Sequence, residues 1–297
     1  MNETPSVLRR AHIYSCLLPA ILIMLHGYPV TVAAHAGVHE QIAGLSRLIE
    51  QDPANEQLYV SRGKAHHIHG SLDKAVSDFI KALDIDPGNV AAETSLGRIY
   101  LEQGYHGKAI VHLDSALASQ AHNVRAVTTR AQANKTAGKP LLAAQDYRHA
   151  IEQSRKQGKP LPDYYLGCAR AYSAAGSQYI GNALRCLDEG IKLLGNIRSL
   201  ELYAVELEVG RNSLDAAQAR LGSMLARAGR KEFLLLQRGD ILSASGNTAA
   251  ALLDYHAAQK AIDSLPQQHR NSSSVLKLRR DLDTRLDSHE NTIEDGS

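Results

Sequence analysis

No catalytic signature occurs in this chain of 297 residues. It contains no G-x-S-x-G, no phosphate-binding loop, no H-E-x-x-H and no G-x-G-x-x-G. Its carboxylates and histidines are scattered over helical positions and form no acid-base pair, so neither an enzyme nor a bound cofactor is expected. Charge of one sign is missing as well. The formal net charge is +2, with no basic run interleaved with aromatics, which argues against nucleic acid or an anionic membrane surface as partner. Cysteine is scarce, at three residues: Cys16, Cys168 and Cys186. The apolar run at residues 16–25 falls short of the roughly 18 or more apolar residues that a membrane-spanning helix needs.

What the chain does have is a period of 34 residues. Two copies, residues 56–89 and 90–123, abut without a gap. In the first, Tyr59, Arg62-Gly63, His66, Gly70, Ala75, Phe79, Ala82 and Pro87 fall on the spacing W-x2-L-G-x2-Y, A-x3-F, P. On these residues the chain resembles the tetratricopeptide repeat family. The resemblance implies an all-α fold, a right-handed α-solenoid of helix-turn-helix repeats, and a protein or peptide partner held in a groove lined by the first helices.

Six copies can be followed by their small residues. A small first-helix residue recurs as Gly63, Gly97, Ala131, Ala169 and Gly239, with bulky Val205 in the fifth copy. A small second-helix residue recurs as Ala75, Ala109, Ala143, Ala183, Ala217 and Ala251, and a large one follows a turn later as Phe79, Leu113, Tyr147, Leu187, Leu221 and Tyr255. Small residues let two antiparallel helices approach, and the large one fills the space beside them. The intervening turn carries Gly70, Gly104, Gly138, Gly176, Asn212 and Gly246, the types that tolerate a left-handed helix end.

The register slips once. Residues 155–162 carry the extra residues between copies three and four and are rich in helix breakers, so a loop and a mild hinge between two three-repeat halves are expected there. Two further residues enlarge the turn of the fourth copy, around residues 177–181. The expected layout is a signal peptide at 1–36, a capping helix at 37–55, and repeats one to three at 56–157. An insertion at 158–161, repeats four to six at 162–265, a capping helix at 266–290 and a disordered tail at 291–297 complete it. Ile42, Leu45, Leu48 and Ile49 give the first cap its apolar stripe, and Val275, Leu278, Leu282 and Leu286 give the second its own, on a helix otherwise polar.

The first 36 residues read as an export signal. Arg9-Arg10 precede the apolar run, and Ala34-His35-Ala36 supplies a small-x-small cleavage site before Gly37. A periplasmic or secreted protein with no membrane span after cleavage is expected, an uncleaved inner-membrane anchor being the alternative. Cys16 precedes the apolar run and so is no lipid-attachment cysteine. After cleavage Cys168 and Cys186 remain, both in the fourth copy and able to face each other across one hairpin. Either a disulfide, in an oxidising compartment, or two buried thiols fits that placement.

Candidate binding residues follow from the column directly after the small first-helix residue: Lys64, Arg98, Gln132, Arg170, Glu206 and Asp240. Its early members are basic or neutral and its last two acidic, a polarity able to orient an extended peptide by charge-assisted hydrogen bonds. Neighbours on the same faces are His67, Arg125 and Lys135, with Gln57, Val60, Thr94, Leu101 and Thr128. The family's carboxylate clamp also needs asparagines beside the basic residues, and this column lacks them. Ordinary solvated helix positions are the alternative reading. A second function class rests on the cut after Ala36. It would leave Gly37-Val38-His39 at the terminus, where amine, amides and the His39 imidazole can bind Cu(II) or Ni(II) in a square plane.

Overall fold

The computed structural model describes the backbone of residues 29–294 and the side chains of residues 37–289. Most of the expected signal peptide, residues 1–28, lies outside the described residues. The rest is helical, with no strand among the described residues. A leading helix α1 (Pro29–Gln51) is followed by six pairs of helices in chain order: α2 (Glu56–Ile68) and α3 (Leu72–Ile85), α4 (Val90–Glu102) and α5 (His106–Ser119), α6 (Val124–Thr136) and α7 (Pro140–Lys156), α8 (Pro162–Ala174) and α9 (Ile180–Leu194), α10 (Arg198–Gly210) and α11 (Leu214–Arg227), and α12 (Glu232–Ala244) and α13 (Thr248–Asp263). A short α14 (Gln267–Arg270) and the long α15 (Ser273–Glu294) close the chain. Five of these pairs pack as the helix-turn-helix repeats that the period predicts, with a helix at each end; in the third, α6 closes the first compact unit, and α7 belongs to the second and packs on α8.

The local chemistry explains why helices start and stop where they do. Asn55, Asn89 and Asn123, spaced by one repeat, cap α2, α4 and α6 by accepting a hydrogen bond from the amides of Gln57, Ala92 and Ala126. The turn inside the hairpins reverses the chain through a left-handed residue: φ is +81° at Gly70, +79° at Gly104 and +81° at Gly246. In the fifth copy Asn212 takes that place at φ +60°. The enlarged turn of the fourth copy contains a 3₁₀ turn, Ser177–Tyr179, ahead of α9.

Close approach within the first, second and sixth hairpins follows from the missing side chains. A Cβ on Gly97 would lie 2.5 Å from Leu113 Cγ, and one on Gly239 would lie 2.5 Å from a ring carbon of Tyr255. The small-against-large pattern therefore describes real contacts. Gly167, not singled out by the repeat, does the same between copies, receiving the ring of Tyr147 from α7.

The chain divides into two compact units, residues 1–137 and 138–297. In the first, α1 packs on α2 and places Ile49 in a core with Tyr59, Val60, Phe79 and Leu96. In the second, α15 packs on α13, and Val275, Leu282 and Leu286 complete the core around Tyr255 and Ile262. Helix α15 thus buries its expected stripe, whereas of the stripe expected on α1 only Ile49 is buried and Leu48 is exposed. The expected loop at 155–162 is shorter than its breakers suggest. Helix α7 runs on through Lys156, Gly158 turns the chain at φ +67°, and α8 begins at Pro162 and packs on α7. This insertion lies inside the second unit, whereas the boundary between units falls at the turn of the third copy. Helix α15 continues to Glu294, beyond the end expected for the cap.

A polar staple joins the two helices of a repeat. Arg62, just before the small residue, makes a two-pronged ion pair with Asp78, just before the large one, at 2.9 and 2.7 Å. Arg238 and Asp254 repeat it in the sixth copy at 2.6 and 2.7 Å. In the fourth copy the same two positions are Cys168 and Cys186. Both are buried, their Cα atoms are 6.2 Å apart, and their sulfurs are in bonding contact.

Candidate functional site

In the first unit the first helices of three successive repeats enclose a concavity of about 410 Å³. Lys64 comes from α2, Thr94 and Arg98 from α4, and Arg125 and Thr129 from α6. The column rule places the first two cations one helix apart, and the start of α6, fixed by the Asn123 cap, brings in the third. Two buried polar atoms here have no hydrogen-bond partner: Thr94 Oγ1 and Arg98 Nε. Burying such atoms without a partner costs free energy unless a ligand or water supplies one.

His67 orients Arg98. Its Nδ1 lies 2.6 Å from Arg98 Nη2 and its Nε2 lies 2.6 Å from Glu102 Oε2. Since a guanidinium only donates, Nδ1 accepts from Arg98 and Nε2–H donates to Glu102. Glu102 also sits 3.8 Å from Arg98 Nε, as an ion pair rather than a hydrogen bond. The concavity keeps a net positive charge from Lys64 and Arg125.

In the second unit Arg170, Glu206 and Asp240 line another concavity, of about 550 Å³, together with Tyr203 and Gln237. Arg170 stacks over the Tyr203 ring at 5.7 Å. Gln237 Oε1 is buried without a partner. Asp240 is engaged from within the chain. Arg285 of α15 reaches it with Nε at 2.5 Å and Nη2 at 3.0 Å, and the Tyr255 hydroxyl donates to it at 3.0 Å. Burial and the neighbouring Asp240 carboxylate hold the Tyr255 hydroxyl well above its ordinary titration range. With Asp240 neutralised by Arg285, the open charges in this concavity are Arg170 and Glu206, one of each sign. The acidic character expected of the last two copies is therefore halved, and nothing in the sequence near Asp240 announces a partner 45 residues away.

The remaining predicted residues are placed as follows. Gln132 and Lys135 are exposed on α6 but do not line the first concavity. Val60 is 1 % exposed and belongs to the core, because its position on α2 faces α3 rather than the open side. His39 is exposed on α1, a helix that begins at Pro29 and so runs unbroken through Ala36. Its Nε2 lies 3.1 Å from Nε2 of His69, at the end of α2. Among the described residues no group of three or more His, Cys, Asp or Glu side chains converges as a metal site. Among the same residues no helix is long and apolar enough to cross a membrane.

Comparison with known proteins agrees with this architecture. Residues 67–133 match the family described as tetratricopeptide repeat. No curated protein sequence matches the chain. Solved structures do match. The C-terminal part of a TPR repeat-containing protein from Cytophaga hutchinsonii is similar with a TM-score of 0.63 at 15 % identity, over 82 % of this chain and 94 % of that one. A tetratricopeptide repeat protein from Parabacteroides merdae gives 0.50 at 19 % identity, over 83 % and 93 %. Pseudomonas aeruginosa pilF gives 0.50 at 16 % identity, over 78 % and 99 %. At these identities the structures share the fold. Residues 67–133 thus carry the tetratricopeptide repeat, and the 34-residue spacing and paired helices give the chain a fold similar to that of tetratricopeptide repeat structures.

Proposed function

We propose that this chain is a non-catalytic protein-interaction scaffold of the bacterial cell envelope, and that the concavity of its first unit takes an acidic segment of a peptide or protein partner. The observation that carries the reading is the convergence of Lys64, Arg98 and Arg125 on a space where buried Thr94 Oγ1 and Arg98 Nε have no partner. An arriving carboxylate satisfies both atoms as acceptor and meets the cations at once. Hydrogen bonds to charged groups contribute about 1.5–3 kcal/mol each, so a single charge reversal should weaken binding on the order of tenfold or more.

The test is a pull-down from envelope extract with the full chain, followed by titration of the captured partner. Lys64→Glu, Arg98→Glu and Arg125→Glu are each expected to reduce its affinity, and the triple variant to abolish capture. A partner indifferent to all three reversals would leave the scaffold in place and remove this concavity as its seat.

Envelope location is supported by the Arg9-Arg10 pair, the apolar run and the Ala34-His35-Ala36 signature. Amino-terminal sequencing of the protein recovered from the periplasm should begin at Gly37. A full-length chain found only in the cytosol removes the export reading.

A further inference from the structure

The concavity of the second unit carries an open pattern of charge. Arg170 of α8 and Glu206 of α10 line it and are exposed, on helices that pack against each other, yet neither forms an ion pair among the described residues. Arg170 is held instead over the Tyr203 ring, 5.7 Å from its centre. Gln237 of α12 lines the same space, and its Oε1 is buried without a partner. Asp240 is already taken by Arg285 and the Tyr255 hydroxyl. What stays open is one guanidinium, one carboxylate and one amide oxygen, beside an apolar floor of Val205 and Ile241, 3 % and 6 % exposed. Val205 stands where the other five copies have glycine or alanine.

We infer that this concavity binds a short apolar peptide with free ends, its ammonium between Glu206 and Gln237 Oε1 and its carboxylate on Arg170. An ammonium has three donors and no acceptor, so it suits two acceptors at once. A guanidinium only donates and matches a carboxylate with two parallel hydrogen bonds, which assigns the carboxy end. Packed helices lie about 8–10 Å apart and an extended chain covers about 3.3–3.6 Å per residue, so about two or three residues reach from α8 to α10. Their side chains rest on Val205 and Ile241. An internal segment of a protein has neither terminal charge, so the ligand is a free small molecule rather than a docked chain. The site shares no residue with the first concavity, and its outcome leaves the acidic-partner reading where it stands.

The experiment titrates the full chain with trileucine by calorimetry, beside leucine, N-acetyl-trileucine, trileucine amide and the doubly capped peptide. One trileucine per chain is expected, with each single cap, and leucine alone, weaker by about tenfold or more. Arg170→Gln is expected to bind trileucine and its amide equally, and Glu206→Gln to bind trileucine and its acetyl derivative equally. Each variant thus loses discrimination at one end only, which a merely structural effect would not produce. Gln237→Met should weaken binding yet melt no lower than the parent protein, because it removes a buried acceptor that has no partner in the free chain. Equal binding of the doubly capped and free peptides assigns the concavity to internal segments and overturns the inference. No heat at about 1 mM trileucine, leucine binding as tightly as trileucine, or parent affinity in both Arg170→Gln and Glu206→Gln overturns it as well.

Discussion

A single methyl group at Gly97 would sit 2.5 Å from Leu113 Cγ, inside a hairpin where Leu113 is fully buried. Alanine is the better helix former by about 1 kcal/mol, yet here it must push two helices apart. Gly97→Ala is therefore expected to cost about 1–3 kcal/mol. Gly107, in the first turn of α5, has nothing within 4 Å of its would-be Cβ, and Gly107→Ala should stabilise by about 0.4–1 kcal/mol. Urea unfolding of the two variants measures both, and shifts of the same sign would contradict the packing account. His66 gives a pH dependence of its own. It occupies the column in which the repeat has a tyrosine, it is buried, its Nδ1 has no partner, and burial lowers its pKa. The unfolded chain takes up this proton near pH 6.5 while the folded chain still resists it. Stability is thus full above about pH 6.5 and declines as pH falls from there toward the folded value. The denaturation midpoint should drop over that interval in the parent protein and drop less in His66→Tyr.

At the level of the helix pair, one location is fastened by different chemistry in different copies. Arg62–Asp78 and Arg238–Asp254 close the first and sixth hairpins, and Cys168 with Cys186 stands at the same two positions in the fourth. In the fifth copy the first-helix position is Ala204, and Arg220 of α11 instead pairs with the buried Glu208 of α10 at 2.7 Å and with Asp188 of α9 at 3.0 Å. A covalent link across the fourth hairpin should add about 3 kcal/mol by constraining the unfolded chain. Non-reducing mass mapping of protein purified from an oxidising compartment is expected to recover a linked Cys168–Cys186 peptide, with a lower unfolding midpoint after reduction. Two free thiols and an unchanged midpoint would show that the cysteines act only as small apolar residues. The equivalence of these positions becomes legible once the six copies are set in register, because each staple flanks the small and large residues that define the repeat. The exchange at Arg220 is not legible that way, since its partners sit on two neighbouring helices.

Across the whole molecule a formal net charge of +2 conceals local separation. Lys64, Arg98 and Arg125 share one concavity in the first unit, while Arg170 and Glu206 offset each other in the second. Charges exposed to solvent are screened beyond about 10 Å at 0.1 M salt. Capture of an acidic partner by the first unit should therefore weaken by roughly tenfold or more between about 50 and 500 mM NaCl, chiefly through slower association. A complex insensitive to salt would place the contact on an apolar part of the surface instead.

The 34-residue period by itself determined the helices, the pairing of five of the six copies, the turn residues and the helix at each end, but not that α7 would pack on α8 and seat Tyr147 on Gly167. All of these follow from local backbone preference and from which side chains fit at a fixed spacing along one chain. The column Lys64 and Arg98 was legible for the same reason, being one repeat apart on equivalent helices. Only the tertiary structure decided what those residues meet. It neutralised Asp240 with Arg285, used His67 to hold Arg98, buried Val60 in the core, and left Thr94 Oγ1 without a partner in the first concavity. It also brought His39 to His69 across 30 residues. Such contacts depend on the angles at which helices pack and on distances between residues far apart in sequence, and a repeat pattern specifies neither.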